Sequence, residues 1–212
     1  MNQARILLAD DHRIVAEGMK TLLESEFGPV TIVEDGRALV AAAEKFRPDI
    51  IVADISMPLL NGIDAVRQVR KSQRDIKIIF LTMQTDPSYA AAAFEAGASG
   101  YVPKHAAPAE LVTAIQYALQ DKQYVSPLVA GNLMEFYKNG EQKSGDASKL
   151  TPRQREILQL LAEGHPVKEI ATLLNLSSRT VEFHKYRMMD ELGIQTLAEL
   201  IRFAVEHHIV SR

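Results

Sequence analysis

Four short apolar runs in the first half of this chain each lead into a group that can do chemistry. Asp10 and Asp11 follow the run at Arg5–Ala9, Asp54 follows Ile50–Ala53, Thr82 follows Lys77–Leu81, and Lys104 lies just past Gly100–Val102. Three carboxylates held close together repel one another unless a cation sits among them. A hard divalent ion that keeps several waters, takes one or two carboxylates and also needs phosphate oxygens is Mg²⁺. An ammonium and a hydroxyl beside it complement the charge and oxygens of a phosphoryl group. A carboxylate so placed can itself be the nucleophile, forming an aspartyl phosphate. Taken singly, an Asp-Asp pair at a strand end is more often a helix cap, and a lone lysine is usually a solvated side chain. Their coincidence at one edge is what carries weight.

That edge follows from the elements around them. From residue 4 to about 121, short β-rich runs alternate with amphipathic stretches near 13–26, 36–45, 62–72, 86–96 and 108–121, and a further run lies at Val30–Val33. A helix-length segment between neighbouring strands is what parallel pairing requires. IIVA and IIFL are apolar throughout, as in strands covered on both faces. Five such units predict an α/β fold, a doubly wound five-stranded parallel sheet, which holds its ligands beyond the carboxyl ends of its strands. All five chemical groups fall at that end.

The motifs LLADDH, VADISMPLLNG, IIFLTM and GYVPK resemble the receiver domain of bacterial two-component response regulators, a flavodoxin-like fold, over residues 4–121. The resemblance implies that Asp54 is the phospho-acceptor and that Asp11 and Asp54 ligate Mg²⁺ directly. Asp10 would orient a metal-bound water, and the main-chain carbonyl of Ser56 would complete the protein ligands. Thr82 and Lys104 would contact the phosphoryl oxygens. Tyr101 matches the switch aromatic that turns inward as Thr82 moves toward the phosphate; on its own it reads as a partly buried strand tyrosine. Ser56 and Gln84 stand at the two positions that tune dephosphorylation, and neither is acidic. Lys104 is followed by His105 where many receivers have proline, so a cis bond is not assumed there.

After Gln123 the alternation stops. A helix is expected from Leu128 to Tyr137, and NGEQKSGDASK at 139–149 reads as a flexible linker. The expected domains are 1–123, a partly helical linker at 124–149, and 150–212. The last is a small all-α unit. Thr151-Pro152-Arg153-Gln154 is a capping box with proline at the first helical position, and Gly164 ends that helix. A short helix at Val167–Leu174, the turn Asn175-Leu176-Ser177 and a helix running to Gly193 match a helix-turn-helix, and Thr196 with Glu199 caps a fourth helix.

On the third of these helices Val181, His184, Met188 and Leu192 share a face that should pack on Ile157, Leu161, Ile170 and Leu173. Arg179, Glu182, Phe183 and Tyr186 then point outward, flanked by Arg187, with Lys185 placed to snorkel toward a phosphate. Such a face fits a major groove. LTPRQREIL, KEIA and SSRTVEFH resemble the LuxR-type DNA-binding domain of the NarL/FixJ response-regulator subfamily. The implied DNA contacts are Arg179, Thr180, Glu182, Phe183, Lys185, Tyr186 and Arg187. Leu197, Leu200, Ile201 and Ala204 form a stripe on the last helix, which in that family is the dimer contact. Closing the core of the monomer is the equal alternative.

Composition narrows the rest. Of 212 residues, 47% are hydrophobic and 24% charged, which excludes bulk disorder. No apolar run approaches the roughly 20 residues that span a bilayer. The opening MNQARILLADD is not expected to be a secretory signal, and the absence of cysteine excludes disulfides and thiolate sites and fits a cytoplasmic location. Residues 150–212 hold eight basic and eight acidic side chains and 1–149 carry the whole net charge of −3, so one copy should grip DNA weakly and a homodimer better. The expectation is a transcriptional regulator that receives phosphate from a sensor histidine kinase onto Asp54 with Mg²⁺ as cofactor. It would bind promoter DNA and would be no enzyme beyond its own phosphorylation and dephosphorylation. A phosphate-independent regulator and an aspartyl-phosphate phosphatase are the alternatives.

Overall fold

A computed structural model describes residues 4–140 and 149–210. The chain forms two compact units, Met1–Glu141 and Gln142–Arg212. In the first, strands β1 (Ile6–Ala9), β2 (Val30–Val33), β3 (Ile50–Ala53), β4 (Lys77–Thr82), β5 (Gly100–Pro103) and β6 (Tyr124–Val125) alternate with helices. These are α1 (Arg13–Glu26), α2 (Gly36–Phe46), α3 (Gly62–Ser72), α4 (Pro87–Glu95), α5 (Ala107–Leu119) and α6 (Pro127–Lys138). The sheet order is β2-β1-β3-β4-β5-β6 and every pairing is parallel. Strand order reverses between β1 and β3, which opens a crevice at their carboxyl ends.

Side chains alternate across the sheet and so build two cores. Leu7, Ala9, Ile51, Ala53, Phe80 and Tyr101 face Leu39, Val66, Val69 and Ala90 on one side. Ile6, Leu8, Ile50, Val52, Ile79 and Leu81 meet Leu23, Leu111, Ala114 and Ile115 on the other. This double coverage is why the strands read as continuous apolar runs.

Two departures from expectation occur past residue 123. The sheet has six strands, because Tyr124 donates its N–H to the Ser99 carbonyl at 2.9 Å and Ser126 donates its own to the Tyr101 carbonyl at 3.0 Å. The helix α6 is no part of a linker: Val129 and Leu133 are buried in the same core as Tyr101, and the helix lies against α4. The linker expected at 139–149 falls mostly outside the described residues.

Close backbone approach explains two glycines. A Cβ on Gly62 would sit 2.0 Å from the Asp54 carbonyl oxygen, and one on Gly36 would sit 1.8 Å from that of Leu60. Both clamp the turn that follows Asp54. Asn61 starts α3 by accepting the Asp64 N–H at 2.9 Å, and no cis peptide bond occurs among the described residues.

In the second unit α7 (Pro152–Ala162), α8 (Val167–Leu173), α9 (Ser178–Leu192) and α10 (Leu197–Glu206) enclose Ile157, Leu158, Leu160, Ile170, Val181, Met188, Leu200 and Ala204. Both capping boxes form, Thr151 with Gln154 and Thr196 with Glu199. Ser177 starts α9 by accepting the Thr180 N–H at 3.0 Å. Gly193 ends it in the left-handed conformation, φ 67°, which glycine adopts without strain. Leu174 is buried where Leu173 was expected, and Leu173 is only half-buried.

Candidate functional site

At the crevice between β1 and β3 the expected groups converge. Asp10 and Asp54 are 1% and 2% exposed, and Lys104, just past β5, reaches both. Its Nζ lies 2.7 Å from Asp54 Oδ2 and 2.8 Å from Asp10 Oδ2. Asp11 sits exposed at the rim. One ligand atom each from Asp10, Asp11, His12 and Asp54 lies within 4.8 Å of all the others.

The electrostatics follow from burial and these pairs. Burial pushes the Asp54 carboxyl above its usual range, and the Lys104 ammonium only partly opposes that. Burial would lower Lys104, but the two carboxylates together outweigh it and raise the group. Three ionised carboxylates and one ammonium leave the pocket at −2. A divalent cation would neutralise it, and a donor set of three carboxylates with one imidazole, mostly oxygen, suits a hard one. The donor set fits the metal that the sequence implied.

The β4 and β5 groups are less open. Thr82 is fully buried, and its Oγ1 accepts the Gln84 N–H at 3.2 Å. Tyr101 is fully buried and donates its hydroxyl to the Gln84 carbonyl at 2.8 Å. Burial drives its phenol far above the ordinary range, which keeps it a donor. The two proposed switch residues thus meet at one residue, Gln84. Ser56 holds Asp54 from the other side, its N–H donating to Oδ1 at 3.3 Å.

His12 is the member that sequence reading missed. Its backbone N–H donates to Asp10 Oδ1 at 2.9 Å, and that turn brings the ring Nδ1 to 2.8 Å from Asp11 Oδ1. The only signal was its position directly after the Asp-Asp pair.

The second candidate surface is α9. Arg179, Glu182, Phe183, Tyr186 and Arg187 are exposed, Thr180 and Lys185 half-buried, and Val181 and Met188 buried. His184 is half-buried as part of the inward stripe, its ring edge-on to Phe183. Lys185 places its ammonium 4.4 Å from the centre of the Tyr186 ring, and Arg187 pairs with Glu191 at 2.7 Å. On α10 the expected stripe divides. Leu200 and Ala204 close the core, Ile201 is half-buried and Leu197 is 45% exposed.

A parallel sheet with a lysine-bridged acidic pocket at its switch point, on one chain with a helix-turn-helix unit, defines a receiver joined to a DNA-binding module. Residues 6–116 match the family model of the response regulator receiver domain, and residues 148–204 match that of the bacterial regulatory proteins of the luxR family. The response regulator UvrY of Escherichia coli K12 is 33% identical over 95% of this chain and 94% of its own length. The transcriptional regulatory protein MctR of Rhizobium johnstonii is 35% identical over 98% and 96%. Among solved structures, RcsB from Salmonella enterica serovar Typhimurium, bound to promoter P1flhDC in the presence of phosphomimetic BeF3⁻, aligns with a TM-score of 0.59. It is 29% identical, covering 95% of this chain and 98% of that one. The chain belongs to the two-component response regulators of the NarL/FixJ subfamily, with a receiver domain and a LuxR-type DNA-binding domain. Among the described residues no helix is long and apolar enough to cross a membrane.

Proposed function

We propose that this response regulator is switched by phosphorylation of Asp54 and, so switched, binds promoter DNA as a homodimer. The observation that carries the reading is the Lys104 ammonium, held by Asp54 and Asp10 together at the buried floor of the crevice. A phosphoryl group arriving on Asp54 brings new negative charge to a cation already in place. The Asp54 carboxylate attacks phosphorus, a new O–P bond forms, and the N–P bond to a sensor kinase's phosphohistidine breaks. Asp11, Asp54 and the Ser56 carbonyl would hold Mg²⁺, with Asp10 orienting a water on it. That ion would supply the neutralising charge for the incoming phosphoryl oxygens. Thr82 leaves the Gln84 N–H for a phosphoryl oxygen, and Tyr101, bonded to the same residue, registers the change. Hydrolysis of the acyl phosphate resets the protein, and its own phosphorylation and dephosphorylation are the whole of its enzymology. A phosphatase acting on external substrates would need a second acid–base carboxylate two residues beyond the nucleophile, where Ser56 stands.

DNA binding falls to the α9 face, with Arg179, Thr180, Glu182, Phe183, Lys185, Tyr186 and Arg187 as contacts. RcsB has been seen as two dimers bound to two parallel DNAs, which supports pairing of this chain on DNA; Leu197 and Ile201, left at the surface of α10, are the candidate contact. The test is labelling by a small phosphodonor with Mg²⁺. Asp54→Asn should take up no phosphate and lose phosphodonor-stimulated promoter binding. Undiminished labelling would move the acceptor to another residue, and undiminished stimulation would favour a phosphate-independent regulator.

A further inference from the structure

The α9 face carries no net charge, because Arg179, Lys185 and Arg187 are matched by Glu182, Asp190 and Glu191. Arg187 is engaged by Glu191 and Lys185 lies over the Tyr186 ring. Among the described residues neither Arg179 nor Glu182 makes an ion pair. Glu182 is therefore an exposed carboxylate in the first half of the helix, the part that meets base edges when such a helix enters the major groove. Facing a polyanion, a carboxylate is repelled unless it accepts a hydrogen bond there. Beside it Phe183 is 58% exposed, an aromatic ring that water solvates poorly.

The major groove offers amino donors on only two bases, cytosine N4 and adenine N6. Adenine N6 lies next to the N7 acceptor, which an amide side chain satisfies and a carboxylate opposes. Cytosine's own groove edge carries no acceptor, only a C5–H beside N4. The apolar feature of that groove is the thymine methyl. Consecutive residues of a helix diverge by about 100°, so Glu182 and Phe183 address different base pairs.

Resting on the DNA-binding reading above, we infer that Glu182 and Phe183 set the operator sequence: Glu182 accepts from the N4 amino group of a cytosine and Phe183 seats on the methyl of a thymine of another base pair. Each half-site then carries one required C and one required T. The neutral face makes this a protein that gains its affinity from bases more than from phosphates.

The experiment uses the full chain, treated with a small phosphodonor and Mg²⁺, and a randomised duplex library selected for binding. Wild type should recover one fixed C and one fixed T in each half-site, with other bases at the C position weaker by roughly ten- to a hundredfold. Glu182→Gln should recover A at that position, because glutamine is bidentate to adenine N6 and N7. Uracil in place of the thymine should weaken wild type by about fourfold, the worth of one buried methyl-sized group, and leave Phe183→Ala unmoved. Both side chains are exposed, so equal melting of the variants shows that the fold is intact. Recovery of the same bases by wild type and Glu182→Gln overturns the assignment of Glu182, and indifference of wild type to uracil overturns that of Phe183. If wild type recovers no sequence at all, the DNA-binding reading falls and takes this inference with it.

Discussion

The acidic pocket and the α9 face solve opposite electrostatic problems. In the pocket, Asp10, Asp54 and Lys104 are buried and hold one another at hydrogen-bonding distance. On α9 the charged groups stand in water, some paired along the helix and some not. A buried charge loses its hydration and depends on its partners, whereas an exposed one is stabilised by solvent whether or not it is paired. The pocket therefore couples chemistry to stability. The α9 face keeps the two separate.

The sharpest way to break this contrast is Lys104→Ala. It leaves two buried carboxylates without their cation and should cost the first unit about 3–5 kcal/mol in Mg²⁺-free buffer. Mg²⁺ should restore part of the loss. Denaturant unfolding with and without the ion checks both points, and an unchanged midpoint would show that the pocket is better hydrated than its burial indicates.

Arg179→Ala probes the other side of the comparison. Promoter binding should weaken by roughly 1–3 kcal/mol, from loss of a base or phosphate contact, while the thermal midpoint stays put. Titration of labelled promoter DNA beside a melting curve separates the two. A lowered midpoint would mean that the face is structural.

The smallest expected effect concerns pH. Burial raises the Asp54 carboxyl above its ordinary 3.8 despite Lys104. A carboxyl with a folded pKa above its unfolded one contributes stability that is present at low pH and lost as pH rises through the folded value. Without Mg²⁺, wild type should lose stability relative to Asp54→Asn as pH rises above the ordinary carboxyl value and through the raised folded one. A difference that stays flat would mean that Lys104 offsets the burial completely.

What could be read from sequence divides along the same physical line. Asp10, Asp54, Thr82 and Lys104 were legible because each sits beside an apolar run long enough to mark its strand. The outward face of α9 was legible because Val181, His184, Met188 and Leu192 keep helical period. The strand β6 was not, since two residues show no alternation. Helix α6 buries Val129 and Leu133 yet exposes Leu128 and Met134, so its apolar residues surround the helix and name no face. His12 was missed because a turn in the backbone, rather than any spacing of side chains, brings it to Asp11. The Leu197–Ala204 stripe kept two readings because one helix can close a core and present a ridge at the same time, and here it does both.

The pairing of β6 with β5 bears on where the receiver can be cut. A fragment ending at Gln123 would carry β5 as a bare edge, its N–H and C=O groups free to recruit a strand from another chain. It would also uncover the apolar ground on which Val129 and Leu133 rest. Such a fragment would lack the last strand and the last helix of the first compact unit, whose core holds Val129 and Leu133 of α6.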